Sequence, residues 1–164
     1  KKVAENAIKI ATDPFGNYAI TEIALGPTDV CDPIFNAIKS HLVDLCNQKY
    51  SSNVVECCFK LAPMHTRSEY IHELSGSERL LNLIKNGFGN YVVQSTLKIA
   101  EPGPDKDLLI EAIKTCIIQI KDKNIGQSGS RFASRLASHK PILLKINQIQ
   151  TLKDSKTINL HSTR

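Results

Sequence analysis

One seven-residue phrase recurs along this chain, and its recurrence restricts the fold more than any other feature of the sequence. Each clear copy runs from an aromatic residue through a small residue, a polar residue, a larger side chain and two apolar residues to a final polar residue. These copies occupy residues 15–21, 50–56 and 88–94, and a more divergent fourth copy occupies residues 128–134. Successive copies lie 35 to 40 residues apart. This period is typical of solenoids, in which each repeat packs mainly against its neighbours.

Apolar residues at helical spacing precede every copy of the phrase. They occupy residues 7–11, 42–46, 80–84 and 116–120. Because their apolar positions recur at intervals of three and four, these stretches predict a first helix in each unit, with its apolar face in the core. The phrase itself then begins a second helix.

Proline and glycine mark the ends of the units. Gly26-Pro27, Pro63 and Pro102-Gly103-Pro104 follow the second helices and interrupt them. The pair Val54-Val55 would also suit a β-strand, since β-branched residues favour strands. Each unit, however, has room for two helices of about ten residues, and its apolar spacing is helical. We therefore expect an all-α stack of helix pairs.

Composition narrows the class of protein further. Hydrophobic residues make up 41% of the 164 residues and charged residues 23%, which predicts a packed core rather than disorder. The sequence shows no apolar segment of membrane-spanning length and no signal peptide, so we expect a cytoplasmic or nuclear protein that does not associate with membranes. The net charge of +5 suits a polyanionic partner, because basic side chains that contact phosphates release counterions.

The reactive residues form no recognisable catalytic or metal-binding pattern. The five cysteines have neither CxxC spacing nor zinc-type spacing with histidine, which predicts reduced, buried thiols. No nucleophile elbow, phosphate-binding loop or HExxH motif occurs. We expect no enzymatic activity, no metal and no cofactor.

Three positions of the phrase share one face of its helix: the first polar residue, the residue after it and the residue four later. Amides such as Asn90 and Gln94 offer donors and acceptors to the edge of uracil, whereas the carboxylate of Glu56 only accepts and matches the adjacent N–H donors of guanine. Tyr18 and Tyr91 offer flat surfaces on which unpaired bases stack, and Asn53 stacks less well. The candidate binding residues are Asn17, Tyr18, Thr21, Ser52, Asn53, Glu56, Asn90, Tyr91 and Gln94.

The phrases, their order and their spacing resemble the Pumilio (PUF) RNA-binding repeat over roughly residues 1–140. The resemblance implies a right-handed α-solenoid with armadillo-like curvature, in which the three positions of each phrase read one base of single-stranded RNA. The second and third phrases resemble the seventh and eighth repeats of an eight-repeat family. By this resemblance, repeats occupy residues 1–28, 29–66 and 67–104, a degenerate C-terminal capping repeat occupies residues 105–140, and residues 141–164 form a tail.

The resemblance also implies a target. RNA would run antiparallel to the chain, with uracil at the third phrase, guanine at the second and nominally uracil at the first, which gives a UGU-like core in messenger RNA 3′ untranslated regions. The implied outcome is repression or decay of the messenger through recruited partners such as deadenylation factors. Thr21 stands where the family usually has glutamine, so we expect relaxed selectivity at the third base. Arg131, in the fourth phrase, is a further candidate for contact with a phosphate or a terminal base.

The N-terminal end suggests an incomplete array. The chain begins inside what would be a late repeat, so the resemblance implies a fragment, a split chain or an unusually short array. The apolar residues Val3, Ala4, Ile8 and Ile10 would then dock against upstream repeats, another chain or a second copy. Two alternative functions stay open: a protein-binding α-solenoid scaffold, and a relative of the ribosome-assembly branch that binds structured RNA with little base preference.

Overall fold

The computed structural model describes residues 2–76 and 78–122, and within these residues all regular secondary structure is helical. Ten helices follow one another in this part of the chain. They are α1 (Lys2–Glu5), α2 (Ala7–Ala11), α3 (Gly16–Ala24), α4 (Thr28–Lys39), α5 (Leu42–Cys46), α6 (Ser51–Leu61), α7 (Met64–Gly76), α8 (Leu80–Lys85), α9 (Gly89–Ile99) and α10 (Pro104–Asp122).

The repeating unit has three helices, not the pair that the sequence predicted. The stretches at residues 42–46 and 80–84 form the short middle helices α5 and α8, and a longer helix, α4 or α7, precedes each of them. The stretch at residues 116–120 is part of the single long helix α10. The prediction of helix pairs was wrong because it followed the recurring phrase and the apolar stretch just before it, and α4 and α7 lie outside both. In α7 the polar residues between the buried ones also obscure the apolar pattern.

The predicted breakers lie between the units. Pro27 has an extended backbone and caps the start of α4, Pro63 immediately precedes α7, and Pro104 is the first residue of α10. Backbone N–H groups in the first turn of a helix have no intrahelical acceptor. Proline suits this turn because it has no N–H group to leave unpaired. The boundary predicted between residues 66 and 67 falls inside α7, three residues after that helix begins.

The helices stack in two rows. The phrase helices α3, α6 and α9 pack side by side in one row, while α4, α7 and α10 follow one another in the other. The apolar pairs of the second and third phrases, Val54-Val55 and Val92-Val93, are buried as predicted. In the first phrase Ile20 is buried but Ala19 is exposed, contrary to expectation. Within the described residues α3 has a single neighbour in its row, α6, whereas α6 lies between two phrase helices.

Bonds across the unit boundaries fix the register of the stack. The buried Tyr70 hydroxyl on α7 donates to the Phe35 carbonyl oxygen on α4, 2.8 Å away. Lys39 and Glu69 form an ion pair of 3.0 Å between the same two helices. Exposed ion pairs contribute about 0–1 kcal/mol, so the buried hydroxyl and the apolar core contribute more to stability.

All five cysteines are thiols. Four are buried, as the sequence predicted, whereas Cys57 is only half-buried. Burial raises the pKa of Cys46 and Cys58 to about 12, which keeps these thiols protonated and unreactive. No helix of the described part of the chain is both long and apolar enough to cross a membrane.

The predicted N-terminal apolar surface is partly covered by its own chain. Ala4, Ile8 and Ile10 are half-buried against the core, and only Val3 is exposed. Docking of another repeat or chain at this end stays a prediction.

Candidate nucleic-acid interface

Each phrase helix begins with a tight contact to the short helix before it. An ideal Cβ atom on Gly16 would lie 2.7 Å from the Ile10 carbonyl oxygen, and one on Gly89 would lie 3.0 Å from the Leu83 carbonyl oxygen. In the middle unit the equivalent residue is Ser51, whose buried hydroxyl donates to the Leu45 carbonyl oxygen at 2.7 Å. The small residue of the phrase therefore sets how closely the phrase helix packs on its unit.

Side chains in the preceding turn cap two of the phrase helices. Asp13 Oδ1 accepts the backbone N–H groups of Phe15 and Gly16 at 2.8 and 2.7 Å. Asn86 Oδ1 accepts the equivalent N–H groups before α9 at 2.8 and 2.9 Å. These bonds satisfy backbone donors that have no partner within the helix. The donors from Gly16 and Phe15 hold the pKa of the Asp13 carboxyl below its usual value.

In the three phrases that the structure describes, the first polar residue is buried, contrary to the expectation that it would face a ligand alongside the other two. Asn17, Ser52 and Asn90 have exposed fractions of only 3%, 4% and 9%. Asn90 Nδ2 donates to two backbone carbonyls of the preceding turn at 2.7 and 3.1 Å, and Asn17 Nδ2 makes the same two bonds at 3.0 and 2.9 Å. The Ser52 hydroxyl donates to the Lys49 carbonyl oxygen at 3.2 Å. These side chains tie down the turn, because its carbonyls need donors.

In the three phrases that the structure describes, the residue after the first polar residue projects outward. Tyr18 is 68% exposed and Tyr91 is 47% exposed, and Asn53 is also exposed. Their position at the same point of successive units gives a row of surfaces on which bases can stack.

The final polar residues of these three phrases differ in how they are held. Glu56 Oε2 accepts a hydrogen bond from the Ser95 hydroxyl on the neighbouring helix α9. Gln94 Nε2 donates to Asn90 Oδ1 at 3.0 Å within its own helix. The Thr21 hydroxyl donates to the Tyr18 carbonyl oxygen at 2.8 Å, so its one hydrogen is used by the backbone.

A groove of about 550 Å³ between α6 and α9 brings most of the second and third phrases together. Five predicted residues line it, namely Ser52, Asn53, Glu56, Tyr91 and Gln94. Asn90 is buried and does not line the groove, and the predicted residues of the first phrase lie on α3, outside the groove. Arg131 lies outside the described residues.

Four further residues line this groove that sequence reasoning missed: Lys49, Phe88, Ser95 and Lys98. Lys98 follows Gln94 by four positions, a spacing that places two side chains on the same face of a helix and could have identified it. Lys49 Nζ lies 5.2 Å from the centre of the Tyr50 ring, in a cation–π contact. The two lysines give the groove positive charge beside the single carboxylate of Glu56.

Comparison with known proteins agrees with this architecture. The family described as Pumilio-family RNA binding repeat matches residues 6–20, 41–75 and 79–114. Pumilio homolog 12 of Arabidopsis thaliana is 35% identical over 140 residues, which cover 85% of this chain and 23% of that protein. A Pumilio domain-containing protein of Schizosaccharomyces pombe is 31% identical over 140 residues, covering 85% of this chain and 20% of that protein. The chain thus spans less than a quarter of the length of these two relatives.

Solved structures share the fold at lower identity. The crystal structure of PUF-8 in complex with PBE-RNA matches with a TM-score of 0.74 and 20% identity, over 84% of this chain and 40% of that one. The Puf3 RNA binding domain bound to a Cox17 RNA 3′ UTR recognition sequence matches with a TM-score of 0.68 and 23% identity, over 89% of this chain and 42% of that one. These matches confirm the predicted all-α solenoid.

Proposed function

Because this chain belongs to the Pumilio family of RNA binding repeats, we propose that it binds single-stranded RNA and selects a UGU-like core. The family is one of RNA-binding repeats rather than of enzymes. The observation that carries the proposal is the groove between α6 and α9, where a carboxylate, an amide and an exposed aromatic ring lie on neighbouring repeats. These are the groups needed to discriminate between bases and to stack on them.

Guanine is assigned to the second phrase. Its Watson–Crick edge presents two adjacent N–H donors, and the Glu56 carboxylate, which only accepts, offers two oxygens to them. Uracil presents two carbonyl oxygens that a carboxylate repels. One Glu56 oxygen already accepts from Ser95, and each carboxylate oxygen has a second lone pair for a base.

Uracil is assigned to the third phrase, and the burial of Asn90 changes which atoms would read it. Both amide hydrogens of Asn90 are used by backbone carbonyls, and its Oδ1 accepts from Gln94. Gln94 then supplies both contacts, because its carbonyl oxygen can accept the uracil N3–H and its second amide hydrogen can donate to a uracil carbonyl. Tyr91, three residues earlier on α9, would stack on the base.

The base at the first phrase is expected to be selected weakly. The Thr21 hydroxyl has one hydrogen, and the Tyr18 carbonyl accepts it. What remains is a short acceptor that reaches less far than glutamine. Tyr18, which is strongly exposed, would still stack on whichever base occupies this position.

Lys49 and Lys98 support the proposal as contacts for the RNA backbone. Both line the groove, and lysines that neutralise phosphates provide affinity that does not depend on sequence and weakens with salt. We further propose that the target is a messenger RNA 3′ untranslated region and that recruited partners repress or degrade the messenger in the cytoplasm. The Puf3 domain, whose solved structure holds a 3′ UTR recognition sequence, supports this part by fold likeness.

Binding of short oligonucleotides to wild type and to Glu56→Gln tests the proposal. Wild type should prefer a UGU-containing RNA to matched RNAs in which UUU or ACA replaces the core. Glu56→Gln should weaken UGU binding by about 1–3 kcal/mol, the size of a bidentate base contact, and shift the preference toward UUU. Glu73→Gln removes the same charge from an exposed site on α7 and should leave the preference unchanged.

Two results would contradict the proposal in different ways. Absence of RNA binding at concentrations that saturate other Pumilio repeats would favour a protein-binding scaffold. Equal binding of all three RNAs, with a strong salt dependence and no response to Glu56→Gln, would favour a relative that binds RNA with little base preference.

A further inference from the structure

The Ser95 hydroxyl bonds to a side chain of another repeat, whereas several other hydroxyls of the described residues bond within their own repeat. Hydroxyls of Thr21, Ser40 and Ser52 donate to backbone carbonyls three or four residues earlier, a local pattern that is common in helices. Ser95 instead donates to the carboxylate of Glu56, 39 positions away on the neighbouring repeat. Its hydroxyl therefore acts on the side chain that is proposed to read guanine.

This bond would restrict the position of the carboxylate. Glutamate has three rotatable side-chain bonds, and a solvated glutamate loses that freedom when it binds a base. A hydrogen bond to an ionised acceptor is roughly twice as strong as a neutral one, so the Ser95 hydroxyl favours one orientation of Glu56 before a ligand arrives. Preorganised groups bind more tightly because less freedom is lost on binding.

The hydrogen bond from Ser95 leaves enough acceptor sites on Glu56 for guanine. A carboxylate has about four lone-pair sites on its two oxygens. Ser95 uses one site on Oε2, and both oxygens keep a site for the two N–H donors of guanine. Both residues are half-buried and line the groove, so the bond is partly shielded from competing water.

The final polar residues of the first and third phrases are held in different ways. Gln94 is held by Asn90 of its own helix, and Thr21 is held by its own backbone. The residue of α6 that corresponds to Ser95 is Cys57, which follows Glu56 directly; a thiol is a weaker donor than a hydroxyl. The side chain that receives a hydrogen bond from the next repeat is therefore Glu56, the carboxylate that must be oriented toward guanine.

We infer that Ser95 is a positioning residue for guanine selectivity: the hydroxyl on the repeat proposed to bind uracil orients the carboxylate on the repeat proposed to bind guanine. This inference rests on the proposed function. It makes selection of the second base depend on a residue that is not one of the three reading positions of its own repeat.

Affinities of Ser95→Ala and Ser95→Thr for a UGU-containing RNA and a matched UAU-containing RNA test the inference. Ser95→Ala should weaken UGU binding by about threefold to tenfold, the effect of losing one hydrogen bond, and leave UAU binding unchanged. Ser95→Thr keeps the hydroxyl and should restore the wild-type preference. Ser40→Ala, which removes an exposed hydroxyl bonded to its own helix, is the matched control and should have no effect.

A double-mutant cycle separates orientation of Glu56 from a structural role. In a Glu56→Ala background, Ser95→Ala should no longer change the ratio of UGU to UAU affinity, because the group that it orients is absent. Thermal unfolding of each variant shows whether the repeats remain folded. If Ser95→Ala weakened binding of both RNAs equally, or left the ratio of UGU to UAU affinity unchanged, the inference would be overturned. The proposed function would still stand as long as the wild type prefers the UGU-containing RNA. Loss of that preference in wild type would overturn both.

Discussion

Replacing Gly16 with alanine tests whether the close contact between α2 and α3 requires a glycine. The new Cβ atom would lie 2.7 Å from the Ile10 carbonyl oxygen and 2.9 Å from Ile10 Cγ2. The oxygen belongs to the backbone, so relief of the clash requires α2 and α3 to move apart. The perturbation therefore acts on the packing of the first unit and not on a flexible side chain.

The expected magnitude follows from two opposing effects. Overpacking a well-packed site destabilises a fold by about 1–3 kcal/mol. Alanine in a helix is favoured over glycine by about 0.5–1 kcal/mol. The net loss should be on the order of 1–2 kcal/mol, which for a chain of this size lowers Tm by about 2–4 °C per kcal/mol. Gly89→Ala should act in the same direction but less, since its nearest contacts are at 3.0 Å.

Gly76→Ala is the matched control, because a Cβ atom there would have no neighbour within 4 Å. It makes the same chemical change at the last residue of α7 and should leave Tm unchanged or slightly raised. Thermal unfolding followed by circular dichroism compares the three variants with wild type. If Gly16→Ala were as stable as Gly76→Ala, the close approach would not constrain this position.

Two further predictions concern bonds away from the groove. Tyr70→Phe removes the buried hydroxyl that donates to Phe35 and should lower stability by about 0.5–1.5 kcal/mol in chemical denaturation; an unchanged midpoint would show that the bond adds nothing. Asp13 has its pKa lowered from 3.8 by the N–H groups of Gly16 and Phe15, so its stabilising effect is present above that pH and is lost as the pH falls through the folded-state pKa. Asp13→Asn, which keeps the acceptor without the charge, should lose less Tm than wild type on acidification below pH 3.8, and parallel curves would contradict this.

The sequence predicted the phrase helices well, though not the number of helices in a unit, because a solenoid repeats its contacts and therefore its residues. The phrase identified α3, α6 and α9, and the helical faces of Glu56, Tyr91 and Gln94 were sufficient to predict a shared surface. Helices α4 and α7 were missed as separate elements because they lie outside the recurring phrase. In α7 the buried Thr66, Tyr70 and Leu74 recur every four residues, a signal that its polar residues obscure.

Other features of the site could not be predicted from local pattern. The sequence cannot distinguish an asparagine that donates to backbone carbonyls from one that donates to a base, because residue type and spacing are the same. The burial of Asn90 could therefore be recognised only in the structure. The bond between Ser95 and Glu56 joins two repeats, and no spacing within one helix indicates it. Lys98 could have been predicted from its helical spacing to Gln94, but it lies outside the phrase.

The burial of Asn17, Ser52 and Asn90 also bears on how the base selectivity proposed for this chain could change. Each of these side chains anchors the turn before its helix, so a substitution chosen to suit another base would also disturb the start of that helix. Retargeting, by natural drift or by protein engineering, should therefore proceed most readily at Thr21 and Glu56, while the anchoring position tolerates few replacements.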